Sequence, residues 1–250
     1  MKNPKSILIT GASSGIGEAL AMEYARSDVT LYICGRNQER LNSVKLKCQA
    51  KGAVVYEKVI DVSDQKAMEG WIHASKPLDM VIANAGIGKS FKFEDDLAGH
   101  AKEVFDVNWN GTLNTVHPAI DLMKKREHGQ IAIISSLSGY HGMPSAPAYS
   151  TSKVAVKAYG EALRGFYHKH GIKINVICPG FVRSRITDKN DFPMPFFMEA
   201  DKAAKIIRKG LEKNKGHIAF PWQTKLMFAA LVRMLPEFIL EKILRRLPDK

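Results

Sequence analysis

The sequence predicts an α/β fold in which a doubly wound parallel sheet of about seven strands carries helices on both faces. Short apolar runs alternate with helix-forming segments along nearly the whole chain, a pattern typical of a parallel sheet that is covered on both sides. The sequence shows no internal repeat, low-complexity tract or linker. Its 250 residues, 45% hydrophobic and 25% charged, can bury one sizeable core. We therefore expect a single domain over residues 1–250.

Seven buried strands are predicted: Ile7–Thr10, Val29–Cys34, Val54–Ile60, Met80–Ala83, Gln130–Ser135, Lys173–Ile177 and His217–Phe220. The helices predicted between them are Gly15–Ser27, Asn37–Lys51, Ser63–His73, Ala101–Arg126, Tyr149–His170 and Ala200–Asn214. In such sheets, ligands bind beyond the carboxyl ends of the strands. The segments that follow the strands are therefore where functional residues are expected.

A glycine-rich turn joins the first strand to the first helix, with Gly11, Gly15 and Gly17 in a Gly-x-x-x-Gly-x-Gly spacing. Glycines permit a tight turn and let backbone N–H groups approach a pyrophosphate, which the positive end of the helix dipole also attracts. A turn that serves only the backbone would use glycine as well. The strand before and the helix after favour a dinucleotide site.

Tyr149 and Lys153 lie four residues apart, so on a helix they share one face. A cation beside a phenol favours the phenolate, and we expect the pKa of Tyr149 to fall below its usual value of about 10. Such a phenol can exchange a proton near neutral pH. Two residues on a solvated helix face would show the same spacing, so the pair alone indicates little.

These motifs, with Asn84-Ala85-Gly86, Asn108, Ser136 and Pro179-Gly180, occur in the order of the short-chain dehydrogenase/reductases, and the chain resembles that family from about residue 5 to about residue 184. The resemblance implies a Rossmann fold and hydride transfer between a nicotinamide and a carbonyl or secondary alcohol. In the family the serine precedes the tyrosine by thirteen positions, which selects Ser136 over Ser135. Ser184 stands where the family often has threonine, and it preserves the hydroxyl.

The resemblance also implies the catalytic roles. Tyr149 would be the general acid in reduction, Ser136 would polarise the substrate carbonyl, and Lys153 would lower the phenol pKa and bond the nicotinamide ribose. The backbone carbonyl of Asn108 would hold a water that links Lys153 to solvent. An asparagine that satisfies a local helix bond would fit the same position.

The cofactor contacts expected from the motifs and the resemblance are Gly11, Ser13, Ser14, Gly15, Ile16, Gly17, Arg36, Asp61, Val62, Asn84, Ala85, Gly86, Tyr149, Lys153, Pro179, Gly180, Val182 and Ser184. Asp61 and Val62 would hold the adenine edge, although an aspartate at a helix N-terminus would explain the same sequence.

The end of the second strand distinguishes the two nicotinamide dinucleotides. An acidic residue there bonds the ribose 2′-hydroxyl of NAD, whereas an arginine accommodates the 2′-phosphate of NADP. Arg36 occupies this place in Ile33-Cys34-Gly35-Arg36-Asn37, which contains no carboxylate, so we favour NADP(H) over NAD. Two observations oppose this: Arg36 could simply end the strand on a solvated surface, and relatives that prefer NADP often carry a basic residue where this chain has Ser14.

Residues 183–200 occupy the place of the family's substrate lid. Two prolines deny this segment regular structure, and its apolar side chains predict a lipophilic carbonyl or alcohol: Phe192, Met194, Phe196, Phe197 and Met198. The same side chains could equally pack against the domain. His141 and Met143 are expected to line the pocket with Ser136 and Tyr149, His141 as a wall residue rather than an extra proton donor.

The net charge of +12 is concentrated near the C-terminus, where residues 201–250 carry twelve Lys or Arg and five Asp or Glu. Residues 222–250 form a basic, amphipathic extension with apolar residues at helical spacing after Pro236. We favour packing in the core, over the substrate mouth or in an oligomer interface, against contact with an anionic membrane. No recognised motif supports nucleic-acid binding.

Cys34, Cys48 and Cys178 are sparse and lack a Cys-x-x-Cys spacing, which argues against a disulfide framework or a thiolate metal site. No signal peptide is recognisable, and the run from Leu226 to Val232 is far shorter than the roughly 20 residues that span a bilayer. We therefore expect a cytoplasmic protein, with peripheral membrane contact as the alternative.

Two classes of function fit the sequence. One is an oxidoreductase acting on a 3-oxoacyl thioester, a steroid or retinol, or a general carbonyl compound. The other is a dinucleotide-binding regulatory or scaffold protein, which would not need Tyr149. A nucleotide-sugar epimerase or dehydratase uses a similar Tyr/Lys pair but is usually longer. The long helices resemble those that pair between subunits in the family, so a homodimer or homotetramer is expected.

Overall fold

The computed structural model describes residues 1–75, 77–88, 96–190, 192–224, 226 and 235–244. These residues form one sheet of seven parallel strands in the order β3-β2-β1-β4-β5-β6-β7. The strands are β1 Ser6–Thr10, β2 Thr30–Gly35, β3 Val54–Val59, β4 Met80–Ala83, β5 Gly129–Ile134, β6 Ile172–Pro179 and β7 His217–Phe220. The strand order reverses between β1 and β4, which places the expected ligand crevice at their carboxyl ends. The predicted doubly wound α/β sheet is confirmed.

The helices in the described part of the chain are α1 Gly15–Tyr24, α2 Gln38–Gln49, α3 Gln65–Ala74, α4 Leu97–Phe105, α5 Gly111–Lys124, α6 Pro147–Tyr167, α7 Ala200–Glu212 and α8 Glu237–Leu244. Short 3-10 turns add Leu137–Tyr140, His168–His170 and Thr187–Lys189. Most predicted elements differ from the observed ones by a few residues at their ends.

One predicted helix is irregular. The segment 101–126 is helical as far as Lys124, but a π-helical turn, Asp106–Asn110, lies between α4, which ends at Phe105, and α5. Such a turn inserts one residue into the helical ladder, often at a functional site. Here the turn carries Asn108, whose side chain forms hydrogen bonds with backbone groups outside the helix. The helices on either side of the turn have different neighbours: α4 packs on α6, and α5 packs on α3.

The core lies on both faces of the sheet because successive residues of a strand point to opposite faces. Ile7 and Ile9 of β1 join a buried cluster with residues of α1, α2 and α7. Leu8, between them, joins a second cluster with residues of α3, α5 and α6. The sheet is therefore held rigidly from both sides, and the loops at the carboxyl ends of its strands are free to form a site.

Much of the C-terminal extension lies outside the described residues, including 227–234 and 245–250. Within α8, Leu240 and Leu244 are buried, whereas Phe238 is exposed. None of the helices that the structure describes combines the length and apolarity required to cross a membrane.

Candidate active site

A cleft of about 640 Å³ opens at the carboxyl ends of the strands. It runs from the glycine turn after β1, past the loops after β2, β3 and β4, to α6 and the loop after β6. Most of the sequence-predicted residues line it: Gly11, Ser13, Ser14, Gly15, Ile16, Arg36, Asp61, Val62, Asn84, Ala85, Gly86, Ser136, Tyr149, Lys153, Pro179, Gly180, Val182 and Ser184.

The glycine turn is built for close approach of backbone to backbone. Gly11 and Gly15 have φ angles of 64° and 59°, which favour glycine. A Cβ on Gly17 would lie 2.3 Å from the carbonyl oxygen of Gly11 and 2.5 Å from Nδ2 of Asn84. Gly17 therefore supports the cleft from behind rather than lining it.

Thr10 and Asn84 join the ends of β1 and β4. The Thr10 hydroxyl accepts hydrogen bonds from the backbone N–H groups of Asn84 (3.0 Å) and Ala85 (3.1 Å). The amide of Asn84 in turn donates to the carbonyl of Thr10 at 2.9 Å and to that of Gly11 at 3.2 Å. These bonds hold the two halves of the cleft floor together at the point where the strand order reverses.

The turn also suits an anion. Ser14 is the N-cap residue of α1, yet its side chain does not cap the helix. The N–H groups of the first helical turn have no intrahelical acceptor, and at a helix N-terminus they and the dipole favour a phosphate. The residues present therefore fit the pyrophosphate of a dinucleotide.

The predicted catalytic side chains meet at the other end of the cleft. Lys153 is buried on α6, and its Nζ donates to the carbonyl of Ile134 at 3.1 Å. The hydroxyl of Ser136 is hydrogen-bonded to the phenol of Tyr149, and it accepts from the N–H of Ser138 at 3.1 Å, at the start of a 3-10 turn. The serine is therefore held by backbone while it contacts the tyrosine.

The expected direction of the Tyr149 pKa shift is wrong for this structure. Burial raises the pKa of the phenol, and the hydrogen bond from Ser136 opposes this only partly. The ammonium of Lys153 lies 5.8 Å from the centre of the tyrosine ring and is bonded to the carbonyl of Ile134. Burial also lowers the pKa of Lys153 to about 8.

Asn108 does not line the cleft but supports it. Its Oδ1 accepts from the N–H of Ile87 at 2.8 Å, while its Nδ2 donates to the carbonyl of Ile87 and to the hydroxyl of Ser152, both at 3.0 Å. The side chain therefore joins the loop after β4 to α6 and makes no local helix bond. Its carbonyl, expected to hold a water, accepts from the hydroxyl of Thr112 at 2.7 Å.

Arg36 and Asp61 form an ion pair across the cleft, with 3.6 Å between Nη1 and Oδ2. Asp61 also accepts from the N–H of Ser63 at 3.0 Å and from its hydroxyl at 2.8 Å. The N-cap of α3 is Asp64, whose side chain accepts from the N–H of Ala67 at 3.0 Å. Asp61 is therefore not the capping residue of that helix.

The predicted substrate contacts are only partly brought together. Ser136 and Tyr149 line the cleft, whereas His141 and Met143 are not among the described residues that line it. The N–H of Met143 donates to the hydroxyl of Ser150 at 2.9 Å, which ties its backbone to α6. Contact of His141 and Met143 with a substrate stays a prediction.

The lid reaches the cleft through Arg185, Ile186 and Thr187 rather than through its Phe and Met residues. Met198 is buried and pairs with Val182 through a β-bridge, while Phe192 packs edge-on against Phe181. Met198 and Phe192 therefore take the packing role that the sequence left open for the apolar lid side chains, whereas Phe196 is exposed.

Sequence reasoning missed thirteen residues of the cleft lining. Most of them neighbour a predicted residue at a strand end, a signal that could have found them, whereas Glu103, Val107 and Arg40 come from helices. The thirteen are Gly35, Asn37, Arg40, Ile60, Ile87, Gly88, Glu103, Val107, Ile134, Ser135, Arg185, Ile186 and Thr187. Among the described residues, no group of three or more His, Cys, Asp or Glu is placed to hold a metal ion.

Comparisons with known proteins show the family of the chain. The family model for short chain dehydrogenases matches residues 5–193. The chain is 33% identical over 247 residues to an uncharacterized oxidoreductase of Myxococcus xanthus, with 97% of each chain covered. It is 31% identical to the 11-beta-hydroxysteroid dehydrogenase-like 4A protein of Arabidopsis thaliana, with 96% of this chain and 84% of that one covered.

Two solved structures share the fold. A short-chain dehydrogenase from Sphingobium yanoikuyae in complex with NADPH superposes with a TM-score of 0.83 at 21% identity, covering 98% of this chain and 96% of the other. A short chain dehydrogenase/reductase from Burkholderia phymatum in complex with NAD also gives 0.83, at 23% identity, covering 99% and 97%. The chain therefore belongs to the short chain dehydrogenase family and is an oxidoreductase.

Proposed function

We propose that the chain is an NADP(H)-dependent oxidoreductase that transfers hydride between the nicotinamide and a lipophilic carbonyl or secondary alcohol, with Tyr149 as the general acid and base. The observation that carries this proposal is the hydrogen bond between Ser136 and Tyr149 in the same cleft as Lys153 and the glycine turn. Binding alone does not need a phenol and a hydroxyl aimed at one point.

The residues supply the proton chemistry, and the nicotinamide supplies the hydride when it is bound. In reduction, the phenol of Tyr149 donates its proton to the substrate oxygen, and Ser136 donates a hydrogen bond that bears the charge developing on that oxygen. In oxidation the same phenol accepts the proton. Lys153 would stabilise the phenolate by its charge and would hold the ribose hydroxyls of the bound nucleotide.

The preference for NADP(H) rests on Arg36, whose guanidinium suits bidentate contact with a phosphate. Solved relatives carry either nucleotide, NADPH in one and NAD in another, so relatives do not decide between them. Asp61 compensates part of the charge of Arg36. The affinities for NADPH and NADH should therefore be measured directly.

The lipophilic substrate class is supported by Ile186, which lines the cleft from the lid segment. One relative is named for its likeness to a hydroxysteroid dehydrogenase. Reduction of a 3-oxoacyl thioester, of a steroid or retinoid carbonyl and of a smaller aromatic carbonyl all remain within the proposed class.

Further proposals concern assembly and location. Val154 and Phe166 leave apolar surface exposed on α6, which supports a homodimer or homotetramer, testable by light scattering during gel filtration. Three free, buried cysteines support a reducing, cytoplasmic location.

The experiment is a panel of acyl thioesters, steroid ketones and aromatic carbonyls, with oxidation of NADPH and NADH followed by absorbance. Tyr149→Phe protein serves as the matched blank. We expect at least one lipophilic carbonyl to be reduced with NADPH by the wild type alone. Tight nucleotide binding without turnover across the panel would favour the second candidate, a dinucleotide-binding regulatory or scaffold protein.

A further inference from the structure

Two arginines reach the same end of the cleft from the segment that follows β2. Arg36 comes directly after the strand, and its side chain is 60% exposed. Its Nη1 lies 3.6 Å from Oδ2 of Asp61. A carboxylate therefore already compensates part of the Arg36 charge, and a dianion placed there would also meet the negative charge of Asp61.

Arg40 is the third residue of α2, and its backbone is fixed. Its N–H donates to Oδ1 of Asn37, the N-cap residue, at 2.9 Å. The side chain is partly buried and lines the cleft beside Arg36, Asn37 and Asp61.

The Nε of Arg40 is buried, and it has no hydrogen-bond partner among the residues that the structure describes. A buried donor without an acceptor costs free energy, and native proteins rarely leave one unpaired. Arg40 lines the cleft, so a ligand bound there is one source of such an acceptor.

We propose that Arg40 is the second cationic residue for the 2′-phosphate of NADP(H), a role that rests on the proposed cofactor. Arg36 and Arg40 together exceed the charge of Asp61 by one positive charge, whereas Arg36 alone only balances it. A phosphate carries nearly two negative charges near neutral pH and accepts the paired N–H groups of a guanidinium. Ser14, on the glycine turn, supplies no charge, so Arg40 provides from α2 the second cation that the turn lacks.

Two other roles for Arg40 give different results. A guanidinium stacked on the adenine ring would strengthen the binding of NADPH and NADH equally, because both nucleotides carry adenine. A purely structural role would lower the melting temperature and leave the ratio of the two affinities unchanged. Only contact with the 2′-phosphate changes the ratio.

The test is calorimetric titration of wild type and Arg40→Gln protein with NADPH, NADH, adenosine 2′-monophosphate and adenosine 5′-monophosphate. We expect the variant to bind NADPH roughly tenfold or more weakly, as the loss of a charge-assisted hydrogen bond implies. Its Kd for NADH should stay within about twofold of the wild type, and its preference for the 2′-monophosphate over the 5′-monophosphate should fall. Arg40→Lys, which keeps the charge, should recover part of the NADPH affinity.

The matched control is Lys47→Gln. Lys47 lies on the same helix but not among the cleft-lining residues, and its Nζ pairs with Glu18 at 2.9 Å. This variant removes the same charge, and it should leave the affinity ratio of NADPH to NADH unchanged. Thermal melts of all variants establish that the folded protein is being titrated.

Equal weakening of NADPH and NADH, or no weakening of either, would overturn the role of Arg40 while leaving the proposed cofactor intact. A wild type that binds NADH more tightly than NADPH would instead refute the NADP(H) preference, and the role of Arg40 with it. The two failures are distinguishable because the first is a property of the variant and the second of the wild type.

Discussion

The ammonium of Lys153 is bonded to the carbonyl of Ile134 at 3.1 Å and lies 5.8 Å from the centre of the Tyr149 ring. The lysine is therefore bonded to the end of β5 while its ammonium lies over the tyrosine ring. Burial lowers its pKa to about 8 and raises that of Tyr149. Both shifts disfavour the charged forms, so polar groups entering the cleft should move both pKa values back towards their ordinary range.

Tyr149→Phe removes the proton donor and leaves the ring in place. We expect turnover of any accepted carbonyl to fall by roughly 100-fold or more, since a positioned general acid contributes about that much. The Kd for NADPH should change little. Steady-state kinetics and nucleotide titration measure the two quantities, and turnover within a few fold of the wild type would reject Tyr149 as the acid.

Lys153→Met tests the pKa of the lysine through protein stability. The group titrates near 10.5 in the unfolded chain and near 8 in the folded one. Between these pH values the unfolded state holds more protons, so the lysine contribution to the free energy of unfolding rises with pH. Urea unfolding of both proteins from neutral to alkaline pH should show the difference shifting in favour of the wild type above pH 8. A difference that does not vary with pH would contradict the shift.

Gly17→Ala tests the packing beneath the glycine turn. The new Cβ would lie 2.3 Å from the carbonyl oxygen of Gly11, so the turn or α1 must move. We expect the affinity for NADPH to fall by roughly tenfold or more, because the loss of one charge-assisted contact has that size.

The control for Gly17→Ala is Gly70→Ala, in α3, where the Cβ would meet nothing within 4 Å. This change should leave NADPH binding unaltered and stabilise the helix by up to about 1 kcal/mol. If both variants bound NADPH as the wild type does, the close contact at Gly17 would have no role in the site.

Asn108→Ala removes three hydrogen bonds of a buried side chain, two to Ile87 that are part-buried and one to Ser152 that is buried. Groups left unpaired in the interior cost about 1–3 kcal/mol each when no water replaces the partner, and we expect the free energy of unfolding to fall by about 2–4 kcal/mol. Asn110→Ala, at an exposed position of the same π-helical turn, should change it by no more than about 0.5 kcal/mol. If urea unfolding gave the same loss of free energy for both variants, the hydrogen bonds of Asn108 would not stabilise the fold more than an exposed side chain does.

The C-terminal extension is tested by flotation with anionic vesicles. Leu240 and Leu244 are buried, while Trp222 and Phe238 are 68% and 71% exposed. We expect the full-length chain not to float, and a chain truncated after Pro221 to unfold at a lower temperature because buried leucines are lost. Flotation that depends on the extension would instead establish membrane contact.

Much of the fold was predictable because its signals are local. The seven strands are apolar runs, and parallel strands buried on both faces must be apolar whatever their neighbours are. Gly11 and Gly15 follow from a turn that needs positive φ angles. The spacing of the sequence likewise predicted that Ser14 and Lys153 lie in the cleft. Ser14 belongs to the glycine turn, and Lys153 follows Tyr149 by four residues.

The π-helical turn in the helix after β4 and the partners of Asn108 were not predictable in the same way. Within that turn, Asn108 bonds Ile87 and Ser152, which lie 21 and 44 residues away in the chain. The helix propensities of residues 101–126 do not indicate these long-range hydrogen bonds.

The sequence by itself determined the sheet and the glycine turn, because these follow from backbone conformation, and its resemblance to a known family predicted most of the residues that line the cleft. Only the tertiary structure decided the direction of the Tyr149 pKa shift, the pairing of Arg36 with Asp61 and the place of Arg40 in the cleft. Each of these depends on burial and on distances between segments that are remote in the chain, and electrostatic free energies respond to both.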